Sequence, residues 1–123
     1  MKHTLIIQGQ LPNLNDYTKA CRGNKFAGAN MKKQTERYIT HYIRMQLKDV
    51  AIKGKAKLAF RWYEANKRRD LDNICFAKKF LLDALVSNQV IFADSWKGVV
   101  GFTDEFFIDK SNPRIEVDIE EVK

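Results

Sequence analysis

The hydrophobic and polar positions of this chain switch between a two-residue and a three-to-four-residue period. Thr4 to Gln8 is a β-branched and apolar run closed by Gly9 and Pro12, which predicts a first strand. From Met31 to about Val50, Tyr38, Tyr42 and Met45 recur on one row and Ile39, Ile43 and Leu47 on a neighbouring one, the spacing of an amphipathic helix with a basic outer side. Lys57 to Tyr63 sets Leu58, Phe60 and Trp62 against Lys57, Ala59, Arg61 and Tyr63, the alternation of a half-exposed strand. From Asn73 to about Asn88, Ile74, Ala77, Leu81, Ala84 and Leu85 form one helical stripe. Gly98 to Ile108 and Arg114 to Ile119 read as two last strands, joined by the turn-rich Asp109 to Pro113. Pro12 to Asn30, with Asn13, Asn15, Asp16, Gly23, Asn24, Gly28 and Asn30, reads as a long polar loop. The order β, α, β, α, β, β predicts one α+β domain over residues 1–123, with a mixed sheet and the helices packed on one face.

Composition is that of a folded chain, 45% hydrophobic and 30% charged, which argues against disorder. No apolar stretch is long enough to span a bilayer and the N-terminus has no small-residue cleavage site, so a cytoplasmic protein away from membranes is expected. The two cysteines fit a reducing compartment, with Cys75 expected to be a buried thiol. Lys+Arg exceed Asp+Glu by 22 to 15, giving +7, a field that favours polyanions but also serves plain solubility. The basic residues crowd Lys19 to Lys57 and Lys67 to Arg69, while Glu116, Asp118, Glu120 and Glu121 lie near the end, so a basic face with an acidic edge is expected.

Chemistry concentrates in Arg68-Arg69-Asp70-Leu71-Asp72-Asn73, between a predicted strand and a predicted helix. In extended backbone, Asp70 and Asp72 turn to the same side and can share a divalent cation, although Asp72 or Asn73 could instead cap the helix. Asp94, beyond the helix, can return toward them, although it could equally serve as a turn residue. Three carboxylates without a cysteine or histidine cluster suit Mg²⁺ or Mn²⁺ rather than Zn²⁺. On a continuous helix Asp72, Phe76, Lys79 and Asp83 share a stripe, with Lys78 on the solvated flank. Lys79 could then stabilise charge on a phosphate, or simply pair with Asp83 at i+4. Lys67, Arg68 and Arg69 would anchor neighbouring phosphates, and neither His3 nor His41 reads as a catalytic base.

These residues resemble the RusA-type Holliday junction resolvases, endonucleases of phage and prophage origin. Asp70-Leu71-Asp72-Asn73 is similar to that family's turn, Asp83-Ala84-Leu85 to its helix signature, and Asp94 to the second member of its acidic pair. Lys79, four residues before Asp83, resembles its essential lysine; Pro12-x-x-Asn15 resembles its N-terminal loop, and Asn112 to Val117 its closing strand. Ala93 departs from the pattern at the first acidic position, and Lys79 lies a few residues farther from Asp72 than is usual. The resemblance implies a homodimer, Mg²⁺ dependence, and paired cuts in four-way junctions or other branched DNA during recombination and repair. It makes Asp70, Asp72, Asp94 and Lys79 the catalytic set and brings Asn15 among the DNA contacts.

Two other readings compete. A non-catalytic binder of branched or single-stranded nucleic acid would rest on the loop residues Tyr17, Lys19, Arg22, Lys25 and Phe26; in the resolvase reading Tyr17, Lys19, Arg22 and Lys25 are DNA contacts too, with Tyr17 or Phe26 stacking on bases exposed at the junction centre or else merely pinning the loop. Because clustered acids repel phosphate unless a cation intervenes, the carboxylates favour an enzyme. A metal-dependent hydrolase of small molecules would carry less surface charge.

Overall fold

The computed structural model describes residues 2–122. The elements are β1 (Lys2–Gln8), α1 (Leu14–Gly23), α2 (Ala27–Gln46), β2 (Lys55–Glu64), α3 (Leu71–Cys75), α4 (Lys78–Ser87), β3 (Val99–Ile108) and β4 (Arg114–Val122). The four strands form one sheet in the order β1-β4-β2-β3, antiparallel except for the parallel β2·β3 pair. The mixed α+β expectation is met.

The predicted strands form where they do because each contributes alternate apolar residues to one core. Leu5 and Ile7 of β1, Leu58, Phe60 and Trp62 of β2, and Ile115, Val117 and Ile119 of β4 are all buried. They share that core with Ile39, Ile43 and Leu47, so of the two rows on α2 it is the isoleucine row that faces inward, while Tyr38 and Met45 stay exposed. The sheet's other face carries polar residues, among them Arg61, Glu116 and Asp118.

Three expectations need correction. Residues 12–30 are not a loop. Asn13 and Asp16 form a reciprocal capping box that starts α1, its two bonds measuring 3.0 and 2.8 Å. The Asn24 side chain accepts the backbone N–H groups of Phe26 and Ala27 as α2 begins. The Asn and Asp residues that signal turns here serve as helix starts, the other use of the same side-chain chemistry.

The predicted helix from Asn73 to Asn88 is two helices. Phe76 and Ala77 keep helical backbone angles, but three-residue hydrogen bonds from Ala77 N–H to Ile74 and from Lys79 N–H to Phe76 interrupt the α-helix there, while Ile74, Ala77, Leu81, Ala84 and Leu85 are buried as expected. The added spacing between Asp72 and Lys79 thus falls at the break. The acidic run is not an edge either: β4 lies inside the sheet, and two of its carboxylates, Glu116 and Asp118, pair with neighbouring arginines, while Glu120 and Glu121 are exposed.

Candidate active site

Asp70 and Asp72 sit where β2 gives way to α3. Asp70 holds the N-cap position with extended backbone, yet its side chain makes no capping bond. Asp72, in the first turn, accepts only the neighbouring Asn73 N–H at 3.0 Å. Both residues are exposed and neither carboxylate enters an ion pair among the described residues. The capping alternative therefore accounts for neither side chain.

Asp94 is returned toward the start of α4. The chain reverses at Gln89, which takes a left-handed φ of 61°. Buried Val90 and Ile91 then anchor the return, with Ile52 donating its N–H to Val90. The following loop is pinned at Gly98, where a Cβ would fall 2.2 Å from the Ala93 carbonyl oxygen, so a larger residue there would displace the backbone beside Asp94.

Lys79 joins this loop to α4. Its Nζ donates to Asp83 at 3.1 Å and to Asp94 at 3.4 Å, and Lys32 of α2 reaches the other oxygen of Asp83 at 3.3 Å. Foremost through the bond to Asp83, opposed by burial and helped by Asp94, the Lys79 ammonium is held above the ordinary lysine pKa. It is a fixed cation rather than a proton acceptor. The i+4 pairing with Asp83 is present, and the same ammonium also faces Asp94.

Lys78 is not on the solvated flank. Only 13% of its side chain is exposed; it pairs with Asp104 at 2.6 Å and lies over the Phe102 ring at 4.0 Å. Asp104 also accepts the Trp62 indole N–H at 2.9 Å, so Lys78 is part of the packing between α4 and β3. On a continuous helix Lys78 stands three and seven residues before the buried Leu81 and Leu85, beside the core row, so lying off the Asp72 stripe did not make it solvated.

The predicted phosphate anchors divide. Lys67 and Arg68 are exposed. Arg69 is turned inward, donating to the Leu11 carbonyl at 3.1 Å and standing 3.5 Å from Glu64, whose carboxyl is pushed up chiefly by burial, against the pull of Arg69 and Gln10. On α1, Asn15, Lys19 and Arg22 are exposed, as is Lys25 in the short turn before α2. Tyr17 belongs to packing, its ring 5.5 Å from Phe76 and 5.8 Å from Phe80 between centroids, while Phe26 remains exposed with Lys25 over its ring. Cys75 is only partly buried, with a thiol pKa raised first by burial.

The structure therefore joins Asp94 to Lys79 but does not draw all three carboxylates together. Among the described residues, no group of three or more His, Cys, Asp or Glu side chains converges to hold a metal ion. The donor set nonetheless fits a hard divalent cation, because Mg²⁺ commonly takes one or two carboxylates and completes its shell with water and substrate phosphate. Asp70 and Asp72 present two such carboxylates without competing partners. Sequence reasoning missed Lys32, whose contact with Asp83 crosses between helices, and Trp96, whose exposure has no periodic signature.

A small α+β domain of net charge +7, with exposed carboxylates beside a fixed ammonium, has the make-up of an enzyme working on a polyanionic phosphodiester. The family comparison narrows this class. A family model described as endodeoxyribonuclease RusA matches residues 12–120 of the 123, and the chain belongs to that family of nucleases. No curated protein matches the chain.

Proposed function

We propose that this chain is a Mg²⁺-dependent endonuclease, with Mn²⁺ able to substitute, that acts as a homodimer on four-way junctions and other branched DNA in recombination and repair. The observation that carries the reading is the pair of exposed carboxylates Asp70 and Asp72, in no ion pair among the described residues, on a chain of the RusA family. These two, with Asp94 completing the set, would hold the cation. When bound, that ion supplies Lewis-acid polarisation of the scissile phosphate and lowers the pKa of a water.

The chain's own groups do the rest. Lys79, kept protonated by Asp83, offers a preorganised positive charge to the phosphate as its negative charge builds in the transition state. Asp94 holds that ammonium at the start of α4 and Asp83 holds it from the same helix. Lys67 and Arg68 attract flanking phosphates, and two copies related by a two-fold axis would match the two equivalent strands of a junction.

Incubation of the protein with an end-labelled four-way junction and with linear duplex of the same sequence, in Mg²⁺ or in EDTA, tests the proposal. Paired cuts in the junction that need Mg²⁺ support it. Tight junction binding with no cut under any divalent cation would make the protein a non-catalytic binder and overturn it.

A further inference from the structure

The chain has two tryptophans placed in opposite ways. Trp62 is fully buried and hydrogen-bonded through its indole nitrogen to Asp104. Trp96 is 88% exposed, two residues after Asp94, and nothing in the core accounts for it. An indole this open presents a flat aromatic face to whatever meets the surface beside Asp94.

Trp96 lines a shallow, open cleft of about 230 Å³ together with Asp94, Ser95, Val99, Val100, Gly101 and Phe102. Three details make the cleft a formed feature. A register shift opposite Ala56 and Lys57 leaves Val100 as an extra residue in β3, a bulge that turns this half-exposed valine outward. The Phe102 ring, also half-exposed, is held from one side by the Lys78 ammonium at 4.0 Å. The loop that carries Trp96 is closed against the start of β3 by the Gly98 and Val99 N–H groups, which donate to the Ser95 carbonyl at 2.9 and 3.0 Å.

We propose that this cleft is a nucleobase subsite, in which one unpaired base stacks on Trp96 and rests against Val100 and Phe102 while its backbone runs past Asp94 and Lys79. The occupant follows from the surroundings. Lys97 and the net positive charge attract a nucleic acid strand, an aromatic plane beside basic groups accepts any base face, and Asp94, which lines the cleft, is a residue of the candidate active site. A second copy of the chain pairing along the β3 edge is the other candidate for an apolar patch here, but Asp94 and Trp96 lie before β3, outside the strand that such pairing would use. The subsite rests on the proposed function for the source of its unpaired base, the branch point of the junction.

The test is binding in EDTA of single-stranded DNA, a four-way junction and linear duplex, read by DNA anisotropy and by intrinsic fluorescence, to which Trp96 gives the exposed signal. Wild type should show quenching with single strands and the junction and little with duplex. Trp96→Ala should lose the quenching and weaken single-strand and junction binding about tenfold, equivalent to ~1.4 kcal/mol, with duplex affinity and Tm unchanged. Trp96→Phe should restore most of the affinity. Equal weakening on duplex and branched DNA would overturn the subsite, as would a Trp96→Ala protein that binds every DNA like wild type but sediments as a smaller assembly. If wild type shows the quenching but never cuts a junction in Mg²⁺, the proposed function fails and the subsite stands; junction cleavage with no quenching has the opposite meaning.

Discussion

On the open face of the sheet, Arg61 meets Glu116 at 3.0 Å and Asp118 at 2.6 Å, and Arg114 meets Glu116 at 2.7 Å and Asp109 at 2.8 Å. Where β2 turns into α3, Asp70 and Asp72 stand exposed and unpaired among the described residues, beside the equally exposed Lys67 and Arg68. Both regions are rich in charge, but their charges have different destinations. In the first, each side chain satisfies another and the set holds β2 to β4; in the second, the charges remain available to something outside the chain. Unpaired carboxylates next to unpaired cations, on a protein of this family, are the arrangement expected of a site that recruits a cation and a phosphate together.

The sharpest way to break this contrast is to neutralise one carboxylate in each region. Asp72→Asn should cut junction cleavage by on the order of 10³-fold, because it removes a metal ligand worth several kcal/mol of transition-state stabilisation. Junction affinity should hold or rise, since a repulsive charge is gone, and Tm should not move. A variant that still cuts at close to the wild-type rate would place the chemistry elsewhere. Arg61→Ala, by contrast, should lower stability by roughly 1–2 kcal/mol, since among the described residues it leaves the partly buried Asp118 with only Lys2 and Thr4 and Glu116 with only Arg114, and should leave the cleavage rate of the folded fraction alone. Denaturant titration and single-turnover kinetics on both variants would separate the two outcomes.

The neighbouring lysines sharpen the contrast within one helix. Lys79→Ala should lower kcat by about 10–100-fold with little change in junction affinity, as expected for a contact that strengthens in the transition state. Lys78→Ala should instead lower Tm, because it leaves Asp104 without its ammonium partner in the packing between α4 and β3. The reverse pattern in kcat and Tm would exchange their roles.

A smaller effect separates the two regions by pH. Arg61 foremost, against the opposing effect of burial and with help from Thr4 and Lys2, holds the Asp118 carboxyl at about 2, below its ordinary value of 3.8. A depressed carboxyl stabilises the folded state above the unfolded pKa, and that stabilisation is lost as pH falls through about 4 toward 2. Asp118 should therefore contribute about 1–2 kcal/mol to acid unfolding, discounted for nearby solvent, and Asp118→Asn should flatten the stability profile over that window. An unchanged slope in the variant would mean that the acid sensitivity arises elsewhere.

What could be read from the sequence was what depends on period. Leu58, Phe60 and Trp62 announce β2 because alternate burial on a sheet needs alternate apolar residues, and Asp70 and Asp72 were conspicuous because their spacing joins a strand to a helix. α1 was hidden because Asn13 and Asp16 start a helix with the same side-chain bonds that elsewhere make turns. The break at Phe76 and Ala77 was hidden because the buried stripe runs through it without interruption. Roles set by partners distant in sequence left no local signal. Arg69 was read as a phosphate anchor but binds Leu11 and Glu64; Lys78 was read as solvated but pairs with Asp104; Tyr17 was weighed as a stacking residue but packs on Phe76 and Phe80.

The central claim is that the unpaired carboxylates, and not the paired ones, hold the cation. Mn²⁺ binding followed by the electron paramagnetic resonance signal of the free ion, with an uncleavable junction analogue present, tests it on wild type, Asp72→Asn and Asp118→Asn. Wild type and Asp118→Asn should take up Mn²⁺ alike, with Asp72→Asn at least tenfold weaker. Equal uptake by all three proteins, or a loss confined to Asp118→Asn, would contradict it.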